Sequence, residues 1–276
     1  MAASSDISPA RAAALLDDLT RIVARASALI RAISPETVGR QLKPDQSPVT
    51  AADEASEAAI LEGLAKLLPD VPVISEEMSG RTKPPALEGS FLMVDPLDGT
   101  KEFLAGRDEF TVNLAVITGG TPIAGIITAP RRGLVWRGVV GQGAERLRLL
   151  ADGGDQRQAI RTRGWPAQGG VAVVSRSHLD PATEGFLARL GPITRAPSGS
   201  AIKFCQVAEG SADVYPRLAT TCEWDVAAGH ALIAAAGGVV TSPQGASLTF
   251  GHADKDFRIP AFIAWGDPAK AAAAGH

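Results

Sequence analysis

The chain has 276 residues, 45% of them hydrophobic and 21% charged, an ordinary globular composition that argues against disorder and suits one large domain or two modest ones. A formal net charge of −3 provides no broad basic field for a nucleic-acid polymer or an anionic membrane, so an anionic substrate must be met locally by a metal or a few Lys and Arg. The two cysteines, Cys205 and Cys222, are too few for a disulfide framework and sit among apolar neighbours, which predicts buried free thiols in a reducing cytosol. Apolar stretches such as "HALIAAAGGVV" (230–240) fall short of the roughly 20 residues a membrane span needs. The opening "MAASSDISPAR" lacks the basic-then-apolar order of a signal peptide. A cytoplasmic protein without a transmembrane segment is expected, with peripheral membrane association left open.

Apolar positions at helical spacing predict a first helix over residues 9–33, started by Ser8-Pro9. A polar loop follows, then a helix from about Ala52 to Leu68 and a short strand "VPVIS" (71–75). A Gly/Pro-rich loop at 79–90 is a candidate for closing over a site. "FLMVD" (91–95) reads as a strand buried on both faces, and Phe110 to about Leu150 as an antiparallel meander with turns at Gly119-Gly120 and Arg131-Arg132-Gly133. "ADGGDQRQAIRTRGW" (151–165) reads as a junction. Beyond it the spacing predicts a strand at 171–176, helices at 181–190 and 200–210, a strand at 212–218 and an Ala-rich helix at 224–238 closed by Gly237-Gly238. This mixture in two halves implies a layered α/β (α+β) fold, with a first domain over 1–160 and a second over 161–276.

Four places carry acids beside apolar or small residues at element ends, mostly without Lys or Arg at helical spacing. Asp53 follows "SPVTAA", Glu76 and Glu77 follow "VPVIS", Asp95 and Asp98 flank the "DPLDGT" turn, and Asp225 opens the Ala-rich helix. Each has a plain structural reading: a surface turn for "DPLDGT", helix N-terminal acids for Asp53 and Asp225, a loop for Glu76-Glu77. Taken together, carboxylates at strand ends and helix starts can converge on one crevice, where they could not all stay ionised without a cation. Oxygen ligands with no His or Cys cluster favour Mg²⁺ over zinc. Pro96 stiffens the turn, the Leu97 carbonyl can point inward, and the amides of Gly99 and Thr100 could hold a phosphate.

"SPVTAAD", "VPVISEE", "MVDPLDGTKEF" and "EWDVAAGHALIAAAGG", in this order, resemble the signature segments of the inositol monophosphatase superfamily. Within it, "DPLDGTKEFLAGRDEFTVNLAVI", "VVSRSHLD", "GSAIKFCQVAEGSADVYPRL" and "WDVAAGHA" most resemble the bacterial 3′(2′),5′-bisphosphate nucleotidases of the CysQ type. The likeness spans roughly residues 10 to 265.

The resemblance implies a layered αβαβα sugar-phosphatase fold and a hydrolase using two or three Mg²⁺ ions and sensitive to lithium. Glu76, Asp95 and the Leu97 carbonyl would bind one ion, and Asp95, Asp98 and Asp225 a second. Glu77 would support a third, weaker one. Asp53 and Thr100, with Glu76, would position or deprotonate the attacking water. Glu76, Leu97, Asp98, Gly99, Thr100 and Asp225 would surround the scissile phosphate, and His178, Ser200, Lys203 and Arg217 would contact the nucleotide and its second phosphate. Related sequences read "GSSLK" where position 201 here is Ala, so a second hydroxyl contact is absent.

The implied reaction converts 3′-phosphoadenosine 5′-phosphate to AMP and phosphate, clearing a by-product of sulfate activation, with 3′-phosphoadenosine 5′-phosphosulfate as a further candidate. An inositol or fructose 1,6-bisphosphatase-type sugar phosphatase is the enzymatic alternative. A non-catalytic metal- or nucleotide-binding regulator is disfavoured, because it would not need the Asp53–Thr100 pair. A monomer or homodimer is expected.

Overall fold

The computed structural model describes residues 6–36, 38–42, 48–79, 87–149, 154–176 and 179–274. Helix α1 (Pro9–Ala32) starts at Ser8, whose side chain accepts the Arg11 amide at 3.2 Å, and carries Pro9 in its first turn, where the missing N–H costs nothing. Its stripe of Leu19, Val23, Ala26 and Ile30 is fully buried. A short antiparallel pair, β1 (Arg40–Leu42) and β2 (Pro48–Thr50), leads into α2 (Ala51–Leu67).

Both helices cover one face of a seven-stranded sheet, ordered in sequence as β3 (Val73–Ser75), β4 (Ser90–Asp98), β5 (Thr111–Thr118), β6 (Thr121–Ala129), β7 (Leu134–Val139), β8 (Gly143–Leu149) and β9 (Asp155–Ile160). β3 runs parallel to β4 and every other pairing is antiparallel. The meander expected at 110–150 is present, but it has one more strand than the sequence suggests. β9 lies in the presumed junction. Its residues DQRQAI are exposed along nearly their whole length, and an edge strand facing water has no apolar alternation to betray it.

A second, five-stranded sheet has the order β11 (Ile193–Ser198), β10 (Gly170–Ser175), β12 (Val214–Arg217), β16 (Phe262–Trp265) and β14 (Val239–Thr241). Between the two sheets lie α5 (Ile202–Ala208) and α6 (Glu223–Ala235). The pair β13 (Thr221–Cys222) and β15 (Arg258–Ile259) sits at the entrance to α6. A short α3 (Thr100–Leu104) follows β4, and α4 (Pro181–Arg189) and α7 (Pro268–Ala274) cover the far face of the smaller sheet.

Three apolar clusters separate these layers. Leu92, Val94, Leu114 and Val116 face α1 and α2. Phe91, Met93, Ala115 and Ile117 face α5 and α6, whose other side meets Val173, Tyr215, Phe262 and Ala264 of the smaller sheet. Ala172, Val214 and Trp265 face outward onto Leu187 and Ala271. The order is therefore αβαβα, as the resemblance implies. Because α6 is enclosed by both sheets it is apolar on nearly every side. Its close approach to the large sheet depends on Gly125, where a Cβ would run into the Ala228 carbonyl. The second half of the sequence also contains strands not read from the pattern, at 193–198, 239–241 and 262–265, and the Ala-rich tail forms α7. Cys205 is buried as expected, whereas Cys222 is only half-buried: it precedes α6 and packs against the margin of the core.

Candidate active site

The "DPLDGT" segment is not a surface turn. Asp95 and Leu97 are 1% and 2% exposed, and the segment closes β4 inside the sheet. The pairing of β4 with β5 breaks between Asp95 and Asp98, where Pro96 has no N–H to give to a ladder. The Asp95 carboxylate accepts the Leu97 amide at 3.0 Å. The Pro96 carbonyl accepts Ser56 Oγ at 2.7 Å, fixing the turn to α2. Gly99 has φ 95°, a left-handed conformation that favours glycine, and the chain then enters α3 at Thr100.

Two helix starts aim further acids at this turn. Asp53 is the third residue of α2. Its Oδ2 accepts the Thr50 amide at 2.8 Å and the Thr50 hydroxyl at 2.6 Å, while its Oδ1 accepts the Thr100 hydroxyl at 3.0 Å. Asp225 is the third residue of α6, and its Oδ2 accepts the Thr221 hydroxyl and, at 3.3 Å, the Cys222 amide. Both acids thus perform the capping role of the plain structural reading, and both also reach the turn or the cleft beside it. Glu76 follows β3, its amide donating to the Val94 carbonyl at 3.1 Å, and it lines the cleft. Glu77 is 3% exposed and lies outside the cleft lining.

Burial first, and then the negative charges of Glu76, Asp98 and Asp225, hold the Asp95 carboxyl well above the usual carboxylate range. Asp98 is pushed up to about 6 by burial and by Asp225, against the opposing pull of Lys203 and Arg217. Asp53 is also raised by burial, while its hydrogen bonds from Thr50 and Thr100 pull the other way. Among the described residues, no three of these acids are drawn together into a closed cage. All the donors are oxygens, and a hard divalent cation is the species whose charge would offset theirs.

The acids open onto a cleft of about 260 Å³ whose lining includes Glu76, Asp98, Thr100 and Asp225 together with Ser200, Lys203 and Arg217, the two cations being near enough to pull on Asp98. Lys203 is 3% exposed. Its Nζ donates to the Ser200 carbonyl at 2.7 Å and the Ser198 carbonyl at 3.4 Å and lies 5.1 Å from the centre of the Tyr215 ring. Ser200 has φ 45°, rare for a residue with a side chain, and its Oγ is buried without a partner. His178 lies outside the described residues. The structure adds an aromatic floor: Phe204, Tyr215 and Phe262 line the cleft and pack with ring centres 5.0–5.3 Å apart. Sequence reasoning missed it, because Phe262 lies in a strand the pattern did not reveal.

The inositol monophosphatase family pattern matches residues 14–269. The chain is 43% identical over 213 residues to the 3′(2′),5′-bisphosphate nucleotidase CysQ of Salmonella typhimurium (strain LT2), covering 75% of this chain and 81% of that protein. It is 34% identical over 238 residues to the protein of the same name from Buchnera aphidicola, covering 86% and 87%. The crystal structure of CysQ from Bacteroides thetaiotaomicron, described as a bacterial member of the same family, superposes with a TM-score of 0.73 at 33% identity over 94% of this chain and 97% of that one. With the layer order, the broken β4 and the ring of acids in agreement, the chain belongs to the inositol monophosphatase family.

Proposed function

We propose that the chain is a Mg²⁺-dependent 3′(2′),5′-bisphosphate nucleotidase that hydrolyses the 3′-phosphate of adenosine 3′,5′-bisphosphate to AMP and phosphate, with 3′-phosphoadenosine 5′-phosphosulfate as a further substrate. The observation that carries this reading is a single cleft lined both by carboxylates and by Lys203 and Arg217. A substrate with two phosphates can use both sets of groups at once. The relatives named for this activity agree with it.

Glu76, Asp95 and the Leu97 carbonyl would hold one Mg²⁺, Asp95, Asp98 and Asp225 a second, and Glu77 would support a third. Bound there, Mg²⁺ supplies positive charge against the phosphate oxygens and acidity for water. The protein's own contribution is orientation. Thr50 fixes one oxygen of Asp53, and the other takes the Thr100 proton. The Thr100 oxygen is thereby left to accept a hydrogen bond from the attacking water. A proton leaving that water can pass to Thr100 Oγ1 as Thr100 passes its own to Asp53 Oδ1. Glu76, which lines the same cleft, would assist, and the amides of Gly99 and Thr100 would face the scissile phosphate. In-line displacement by water needs positioning and charge neutralisation rather than a covalent nucleophile.

Arg217 meets the phosphate that is not cleaved, with the unpartnered Ser200 hydroxyl lining the same cleft, and His178 is a further contact on the strength of the resemblance alone. Lys203, already donating to two carbonyls, pins the turn carrying Ser200 and balances Asp98. In this reading residues 1–160 supply most of the metal-binding groups, and 161–276 supply Asp225 and the substrate contacts. The enzyme works in the cytoplasm as a monomer or homodimer. The test is phosphate release with Mg²⁺ from adenosine 3′,5′-bisphosphate, inositol 1-phosphate and fructose 1,6-bisphosphate side by side. The bisphosphate nucleotide should have the highest kcat/KM. A sugar phosphate in first place would replace the reading with that of a sugar phosphatase, and release from none of them would leave a binding protein.

A further inference from the structure

On the face of the large sheet that α6 covers, Asp95 of β4 stands directly opposite Asn113 of β5. The same face carries Met93 opposite Ala115 and Phe91 opposite Ile117, and beyond Asn113 stands Ile127 of β6. Asn113 is 1% exposed, yet neither its Oδ1 nor its Nδ2 has a hydrogen-bond partner. A primary amide brings two donors and an acceptor into a core, and native interiors rarely leave such groups unsatisfied. An aliphatic residue would match the rest of "TVNLAVI" and cost nothing there. A polar group that breaks its local pattern without a structural return marks a functional position.

Its neighbour supplies the function. Among the described residues the Asp95 carboxylate has one protein donor, the Leu97 amide on Oδ1. A carboxylate that ligates a metal is held in orientation by hydrogen bonds from behind. The amide of Asn113 can provide one without adding a charge. An acid there would join four carboxylates already repelling one another, and a lysine would compete with the cation itself.

We infer that Asn113 is a positioning residue for Asp95, its Nδ2–H holding the carboxylate through one water in the orientation that receives the cation. This rests on the metal-dependent reading above. The test is Asn113→Leu, with melting temperature measured without divalent ions and across a Mg²⁺ titration, beside Mg²⁺-titrated phosphate release. The metal-free variant should melt at or above the wild-type temperature, because a buried amide with no protein hydrogen-bond partner is gone. Its Mg²⁺-induced rise in melting temperature should need about tenfold more Mg²⁺, and KM for the nucleotide at saturating Mg²⁺ should be unchanged. If the Leu substitution does not fold, Asn113→Val carries the same readouts. A wild-type protein that Mg²⁺ stabilises and a variant responding at the same Mg²⁺ concentration would overturn the role of Asn113 alone. A wild-type protein that Mg²⁺ does not stabilise would overturn the metal-dependent reading with it.

Discussion

The acidic and the cationic groups that line the cleft, its acid wall and its cation wall, are built on opposite electrostatic principles. The acid wall gathers carboxylates from the ends of β3 and β4 and the start of α6, and burial and mutual repulsion push Asp95 and Asp98 toward the protonated form. The cation wall is tied down by the protein itself in part: Lys203 donates to two backbone carbonyls, while the Ser200 hydroxyl beside it has no partner. In the proposed reading the acids do the chemistry with a bound cation, and Lys203, Arg217 and Ser200 select the substrate.

That assignment can be broken from the acid side first. Asp98→Asn removes a charge from the acid wall while keeping its shape. It should lower kcat by about a thousandfold, as losing a preorganised electrostatic group does, with a melting temperature equal to or above that of the wild type. Near-normal Mg²⁺-dependent phosphate release would remove Asp98 from the site. Thr100→Ala keeps the acids and takes away the hydroxyl bridging to Asp53, and kcat should fall about a hundredfold on every substrate alike. A loss confined to the bisphosphate nucleotide would move Thr100 to the selecting side. Lithium chloride should slow the initial rate at concentrations where sodium chloride does not, because a small cation competes only on the acid wall. Equal effects of the two salts would argue against a compact oxygen site there. The smallest change is Thr50→Ala, which removes a helix cap and one of two anchors on Asp53 Oδ2. It should cost about 1 kcal/mol of stability, read by denaturant unfolding, and have only a modest effect on turnover. An unchanged unfolding midpoint would show that the cap contributes nothing.

The acid wall was the more legible of the two. Asp53, Glu76, Asp95, Asp98 and Asp225 stood out because acids at element ends without Lys or Arg partners are unusual on a solvated face. The plain reading of Asp53 and Asp225 as capping residues is also true: the same side chain caps a helix and faces the site, so local geometry could not exclude a functional role. The cation wall showed only through family resemblance, since a lone Lys on a helix or Arg on a strand has no distinguishing pattern. Its aromatic floor was missed because Phe204, Tyr215 and Phe262 are separated in sequence and meet only where β12 pairs with β16 and α5 packs on them. β9 escaped because polar edge strands carry no period-two apolar signal, and Asn113 because one polar residue in a buried strand reads as noise until its neighbour across the ladder is known.

The most direct measurement is kcat/KM of Arg217→Ala on adenosine 3′,5′-bisphosphate set against a monophosphate such as inositol 1-phosphate. A charge-assisted contact to phosphate contributes roughly 1.5–3 kcal/mol, so the bisphosphate value should fall about tenfold or more while the monophosphate value stays where it was. If both fall by the same factor, Arg217 acts at the reacting phosphate or in the fold, and the division of the cleft into a reacting wall and a selecting wall is wrong.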